Sequence, residues 1–272
     1  MAKTQSTQEQ TLTQVRTYLN TLKLRKMEKA LDEELSYGAR ENLPVSKILE
    51  RLLAIEADAL IERRIERKIK DSRLPERKLL SDFDFAFQKG IDQHQIMDLA
   101  SLSFVERKQG LILAGSSGTG KSHIAKALLL IGCTKLYRCR YTTAANMLKD
   151  LLASLADGTL EQKLKLYTRP DILLIDEVGF DRLEQESARN ASLFFKVIDQ
   201  RYCQASTLLT TNIDFKALGD YLGDPVITTA IVDRMVHHSV IINIQGPSWR
   251  KNESKKLNAS SKNKNTKTAQ AA

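Results

Sequence analysis

Cysteine is scarce in this 272-residue chain, and the few present do not pair. Cys133, Cys139 and Cys203 are odd in number and lack C-x-x-C spacing, which excludes a disulfide framework and a zinc site. They read as reduced thiols in a cytoplasm. Long apolar runs are missing too. The longest, Ala127–Cys133, falls far short of the roughly 20 residues that a helix needs to span a bilayer. The opening MAKTQSTQEQ has no apolar h-region, so the expectation is a cytoplasmic protein with no membrane partner. No repeat is visible at the periods of solenoids or propellers. Helix-turn-helix and zinc-finger spacings are absent as well, so any nucleic acid would be read through phosphate and shape rather than base edges.

Positive charge, by contrast, is in excess. The 42 Lys/Arg against 33 Asp/Glu give +9, and with 42% hydrophobic residues the chain can still bury a core. A pI near 9.4 points towards an anionic partner. Two stretches carry the excess. From Arg250 onward seven Lys/Arg face one acid, Glu253, in a segment almost without apolar residues, so residues 251–272 are expected to be a basic disordered tail. Ile61–Lys78 carries eight basic and four acidic residues. Its cluster of Arg63, Arg64, Arg67, Lys68 and Lys70 is either a solvated helix end favoured by the dipole or a phosphate-binding surface. The wider context below favours DNA, with Arg63, Arg64, Arg67 and Lys68 as the contacts.

Periodicity divides the chain. Leu12, Val15, Leu19, Leu22, Leu24, Met27, Leu31 and Leu35 keep helical spacing with a phase slip near Leu22. Gly38 reads as a stop, and Pro44 suits the first turn of a second helix that carries Ile48, Leu52, Ile55, Ala59 and Ile69 and closes at Pro75. Residues 1–75 are therefore expected to form a small all-helical N-terminal domain for partner or DNA binding. After the connector LSDFDFAFQKGID, strands and helices alternate. Strands are predicted at Leu111–Ala114, Leu136–Tyr141, Ile172–Ile175, Ser206–Thr210 and Val240–Ile244. Helices are predicted at Ser122–Leu130, Ala144–Ala156 and Asn190–Tyr202. This pattern predicts an α/β core over residues 76–250, a parallel sheet with helices on both faces.

The chemistry is written at strand ends. Gly115-Ser116-Ser117-Gly118-Thr119-Gly120-Lys121-Ser122 matches G-x-x-x-x-G-K-[ST] between a strand and a helix, the phosphate-cradling P-loop. Its glycines let backbone N–H groups turn inward, Lys121 reaches the β/γ phosphates, and the Ser122 hydroxyl ligates Mg²⁺. The second motif, Ile172-Leu173-Leu174-Ile175-Asp176-Glu177, is a buried strand ending in two carboxylates. Asp176 stands where Mg²⁺ is held, and Glu177 where a water attacking the γ-phosphate is polarised. At the next strand end Asn212, with Thr211 as the alternate, is placed to touch the γ-phosphate and the water. This arrangement resembles an AAA+ ATPase.

A closer resemblance rests on DFDFAFQKGID, GSSGTGKSHIA, LLIDEVGF, STLLTTN, LGDPV, DRM-HH and QGPSWR in that order. Over roughly residues 12–252 the chain is similar to the IstB proteins, the ATPase helpers of insertion-sequence transposases, related to the DnaC helicase loader. The resemblance implies a P-loop NTPase without a C-terminal lid domain, and ATP and Mg²⁺ at the motif residues above. It also implies ATP-dependent assembly into a homo-oligomer on duplex DNA, target-site selection and stimulation of a transposase. It places Arg234 as the arginine reaching a neighbour's γ-phosphate, with Arg201 as competitor, and Arg250 as the arginine sensing the γ-phosphate. His237 and His238 read as packing or surface residues. Two other functions stay open: a DnaC-like helicase loader, and a DNA-binding scaffold gated by nucleotide but hydrolysing slowly.

Overall fold

The computed structural model describes residues 2–180, 187–214 and 217–254 and divides into two compact units, Met1–Arg67 and Lys68–Ala272. The first unit is built from α1 (Ala2–Thr21), α2 (Arg25–Arg40) and most of α3 (Val45–Asp71), which runs past the boundary. Leu19, Met27, Leu31 and Leu52 form its buried centre, with Leu12, Val15, Leu24, Leu35 and Ile48 packed around them. The expected phase slip near Leu22 is a break between two helices: Lys23 adopts φ 62° and the Leu24 amide bonds back to the Leu19 carbonyl. Gly38 does not stop α2. It lies inside the helix, where a Cβ would stand 2.4 Å from Ile48 Cδ1, so its smallness serves packing. The buried Glu56 carboxylate accepts from the Lys26 and Met27 amides at 2.7 and 3.1 Å, satisfying the first turn of α2, and Arg63 pairs with it at 2.9 Å. Helix α3 ends ahead of Pro75, because the chain turns at Arg73 with φ 56°.

The second unit holds a parallel five-stranded sheet of order β2-β3-β4-β1-β5: β1 Gly110–Gly115, β2 Cys139–Thr143, β3 Ile172–Val178, β4 Ser206–Thr211 and β5 Ser239–Ile244. A 3₁₀ turn at Leu80–Asp82 and the helices α4 (Gln93–Ala100) and α5 (Ser103–Glu106) precede the sheet. Helix α6 (Lys121–Thr134) covers one face, so close that a Cβ on Gly132 would stand 2.7 Å from Ile172. The other face, with Ile112, Leu173, Ile175 and Leu209, is covered by α7 (Ala144–Ala156), α8 (Leu160–Thr168), α9 (Ser187–Arg201), α10 (Leu218–Leu222) and α11 (Pro225–His237). A sheet buried on both faces explains why its strands read as unbroken apolar runs.

Strand β2 begins later than Leu136, because residues 134–137 finish α6. Leu136 takes φ 64° and the Tyr137 amide reaches the Gly132 carbonyl, a left-handed helix terminus. The helices α8, α10 and α11 were not anticipated. The last is started by Asp224, whose side chain accepts from the Ile227 amide at 2.9 Å, with Pro225 in the first turn. Residues 249–254 are helical, so the stretch after Arg250 is not irregular from its first residue. The lysine-rich run from residue 255 lies outside the described residues. Among those described, no helix is long and apolar enough to cross a membrane.

Arg201 ends α9 and is only 1% exposed. Its guanidinium donates to Thr207 Oγ1 at 2.9 Å and to the carbonyls of Tyr167, Thr168, Pro170 and Ser206 at 2.5–3.3 Å, stitching α8 and the strand entries together. Removing the guanidinium takes these bonds from a largely buried site. Arg201→Ala should therefore lower the unfolding free energy by about 3 kcal/mol, read from the midpoint of a urea titration. A midpoint equal to wild type would contradict this role.

Candidate active site

The P-loop joins the end of β1 to the start of α6, where the helix dipole and free amides favour an anion. Gly118 and Gly120 take φ 83° and 96°. A Cβ on Gly118 would stand 2.1 Å from Ser248 Oγ, and one on Gly120 would stand 2.4 Å from the Phe83 ring. The loop is thus pressed between the connector and the C-terminal segment, and only glycine fits at either contact. The Trp249 amide donates to the Gly118 carbonyl at 2.9 Å, and Gln88 Nε2 to the Thr119 carbonyl at 2.9 Å. Lys121 is buried. Its ammonium donates to the carbonyls of Gly115 and Ser116, each at 2.8 Å. Burial holds its pKa below the usual lysine value; Asp176 opposes the shift and Arg250 adds to it.

Asp176, 1% exposed, sits at the end of β3. Its Oδ1 accepts from the Ser122 hydroxyl at 2.7 Å and its Oδ2 from the Tyr141 hydroxyl at 3.2 Å. Lys126 Nζ stands 3.9 Å from Oδ2 and 3.1 Å from Glu76. Burial and the Asp176 carboxylate push the Tyr141 hydroxyl well above the ordinary tyrosine range, so it remains a donor. Glu177, next along the strand, is exposed and opens into a cavity of about 540 Å³.

That cavity is lined by Ser117, Gly118, Thr119, Gly120, Lys121 and Ser122 together with Glu177, Asn212 and Arg250. Both strand-end alternates line it but differ in exposure and hydrogen bonding. Thr211 is buried, and its hydroxyl donates to the Val178 carbonyl at 3.0 Å and accepts from the Ile213 amide. Asn212 is exposed at the cavity. Arg234 lies elsewhere, on the last turn of α11, paired with Asp199 at 2.8 Å and stacked 4.7 Å over the Phe195 ring. Arg201, its competitor, is committed to the carbonyls described above. Arg63, Arg64 and Arg67 are exposed on α3 of the first unit, Arg63 engaged by Glu56, while Lys68 is half-buried at the start of the second.

The cavity also has an aromatic wall that no motif announces. Phe83 and Phe87 rise from the connector, and Phe87 meets Trp249 edge-on with centroids 5.0 Å apart. The signal was present in the alternation Phe83, Phe85, Phe87, which is unusual in a chain with only 6% aromatics. Tyr141 and Thr210 on the flanking strands and Lys126 on α6 carry no local signal, since each meets Asp176 from another element.

These residues fit a nucleoside triphosphate with Mg²⁺. One carboxylate and one hydroxyl suit a metal that keeps waters and phosphate oxygens as its other ligands. Among the described residues no cluster of three His, Cys, Asp or Glu offers a competing site.

Residues 17–257 match the model of the family described as IstB-like ATP binding protein. The chain belongs to this family. IstB-like relatives include the protein named for ATP binding in insertion sequence IS5376 of Geobacillus stearothermophilus, 36% identical over 87% of this chain and 93% of the relative. The one so named in insertion sequence IS21 of Pseudomonas aeruginosa is 35% identical over 90% of this chain and 91% of its own length. Among solved structures, DnaI superposes with a TM-score of 0.50 at 22% identity, covering 62% of this chain and 92% of DnaI. AMPPCP-bound DnaA from Aquifex aeolicus also gives 0.50, at 19% identity, over 62% of this chain and 50% of DnaA. The IstB-like chain thus shares its P-loop fold with DnaI and DnaA.

Proposed function

We propose that this IstB-like chain hydrolyses ATP in the cytoplasm, assembles with further copies on duplex DNA, and assists the transposase of an insertion sequence in selecting and using its target. The observation that carries the reading is that Lys121, Ser122, Glu177, Asn212 and Arg250 line one cavity, with buried Asp176 held against Ser122 behind its wall. The relatives named for insertion sequences supply the biological setting.

The backbone of Gly115, Ser116, Ser117, Gly118, Thr119 and Gly120 cradles the phosphates, and Lys121 exchanges its two carbonyls for β/γ oxygens. Ser122 and Asp176 hold Mg²⁺, which when bound offsets the phosphate charge. Glu177 orients and polarises the attacking water, while Asn212 and Arg250 meet the γ-phosphate. Arg234 reaches the γ-phosphate of a neighbouring copy. Its position outside its own cavity and the structural commitment of Arg201 support that assignment. DNA binding stimulates turnover by bringing copies together. Arg64, Arg67 and Lys68 contribute phosphate contacts, and so does Arg63 to the extent that Glu56 releases it.

Lys121→Ala should abolish tight ATP binding. Glu177→Gln should bind ATP but stall hydrolysis, leaving assembled protein on DNA. Equal loss of nucleotide affinity in the two variants would overturn this division of roles, and a wild type without turnover, with or without DNA, would leave only a scaffold.

Mixing Arg234→Ala with Lys121→Ala subunits should recover part of the hydrolysis at hybrid interfaces. No recovery from folded, co-assembling proteins would remove Arg234 as the arginine acting between copies.

DNA affinity should be sequence-independent and steep in salt. Changing Arg64, Arg67 and Lys68 to Gln, with Arg63 kept to satisfy Glu56, should lower the log–log salt slope by up to about 2.7. An unchanged slope, together with a collapse on cutting the chain after Arg250, would move the electrostatic anchor to the tail.

A further inference from the structure

The pairing of β3 with β4 is irregular at one place. Ile175 lies opposite Leu209, and the next pair is Val178 with Thr211. Two residues of β3, Asp176 and Glu177, therefore face a single residue of β4, Thr210. This is a bulge in a parallel ladder, where bulges are rare, at the position where the two carboxylates part. Glu177 takes φ 61°, a left-handed conformation that is unfavourable for a residue with a side chain and, within the described strands, is found here at the bulge. The kink turns Glu177 outward to the cavity while Asp176 and Val178 on either side stay buried.

Thr210 supplies the support. Its side chain is 1% exposed, and its hydroxyl has one partner on each side. The Glu177 amide, taken off the ladder by the bulge, donates to Thr210 Oγ1 at 3.0 Å. The hydroxyl proton goes to Asp176 Oδ1 at 2.5 Å, the same oxygen that accepts from Ser122. With one bond received and one given, the hydroxyl cannot reorient without leaving a buried group unpaired. Thr211 closes the far side of the bulge through the Val178 carbonyl.

We infer that Thr210 is a positioning residue for hydrolysis, fixing Asp176 and Glu177 relative to one another through its hydroxyl. This rests on the hydrolytic reading of the site given above. The hydroxyl sets the rotation of the Asp176 carboxylate, so that Oδ1 faces Ser122 at the metal position. The same group pins the backbone from which Glu177 projects. Removing it loosens the metal ligand and the water-polarising base together, while the P-loop that grips the phosphates is untouched.

The test compares Thr210→Val, which keeps the shape and removes the hydroxyl, with Thr210→Ser, which keeps the hydroxyl. Thr210→Ala replaces the valine variant should that one fail to fold. Full-length proteins are assayed for steady-state ATPase activity, for the Mg²⁺ concentration giving half-maximal rate, and for binding of a fluorescent ATP analogue in EDTA. Thr210→Val should lose about 10- to 100-fold in kcat and need several-fold more Mg²⁺, with metal-free nucleotide affinity near wild type. Thr210→Ser should return close to wild type in all three. An active wild type matched by Thr210→Val in kcat and Mg²⁺ dependence would overturn the assignment, and so would a serine variant as impaired as valine. A wild type with no ATPase activity would overturn the hydrolytic reading itself and this role with it.

Discussion

Asp176 brings a carboxylate to the end of a strand that water barely reaches, and much of the second unit is arranged around that fact. A buried carboxylate is tolerated only where donors replace its hydration. Here they come from four residues on three elements: Ser122 on α6, Thr210 on β4, Tyr141 on β2, and Lys126 one turn further along α6. The strand order places β2 and β4 on either side of β3, so Tyr141 and Thr210 approach from opposite sides. Sheet topology and site chemistry are in this sense one constraint. Moving β3 in the order would strip the carboxylate of half its partners.

The P-loop shows the same dependence on distant chain. Its glycines admit Phe83 from one side and Ser248 from the other, and Trp249 and Gln88 bond to its carbonyls. The cavity wall is therefore assembled from residues before the sheet begins and after it ends. Residues 249–254 are helical and bring Trp249, Arg250 and Glu253 to the cavity wall.

The legible parts were those whose chemistry is local. A P-loop is specified by consecutive residues, and a strand ending in Asp176-Glu177 announces itself by an apolar run that stops. The helix over 144–156 and the apolar face of α2 followed from spacing alone. What escaped depends on partners far along the chain. Gly38 looks like a helix stop until Ile48 is placed against it. Arg201 looks like a surface cation at a helix end until the carbonyls of residues 167–170 close around it. The start of β2 was misplaced because Leu136 is apolar and suits a strand, yet its left-handed turn belongs to the end of α6. Thr210 was one of several strand residues with nothing local to mark it.

The resting place of Lys121 carries a thermodynamic consequence. Its ammonium is already satisfied by two carbonyls of its own loop. On the function proposed above, a triphosphate entering the cavity does not add hydrogen bonds to an idle cation; it takes the cation away from existing acceptors. The net gain is the difference between a charge meeting neutral dipoles and a charge meeting an anion, so phosphate charge weighs more heavily than contact number. Ligands that fill the same space with fewer negative charges compete against the loop's own carbonyls. On that proposal, selectivity among nucleotides by phosphate state then follows from the loop's own hydrogen bonds.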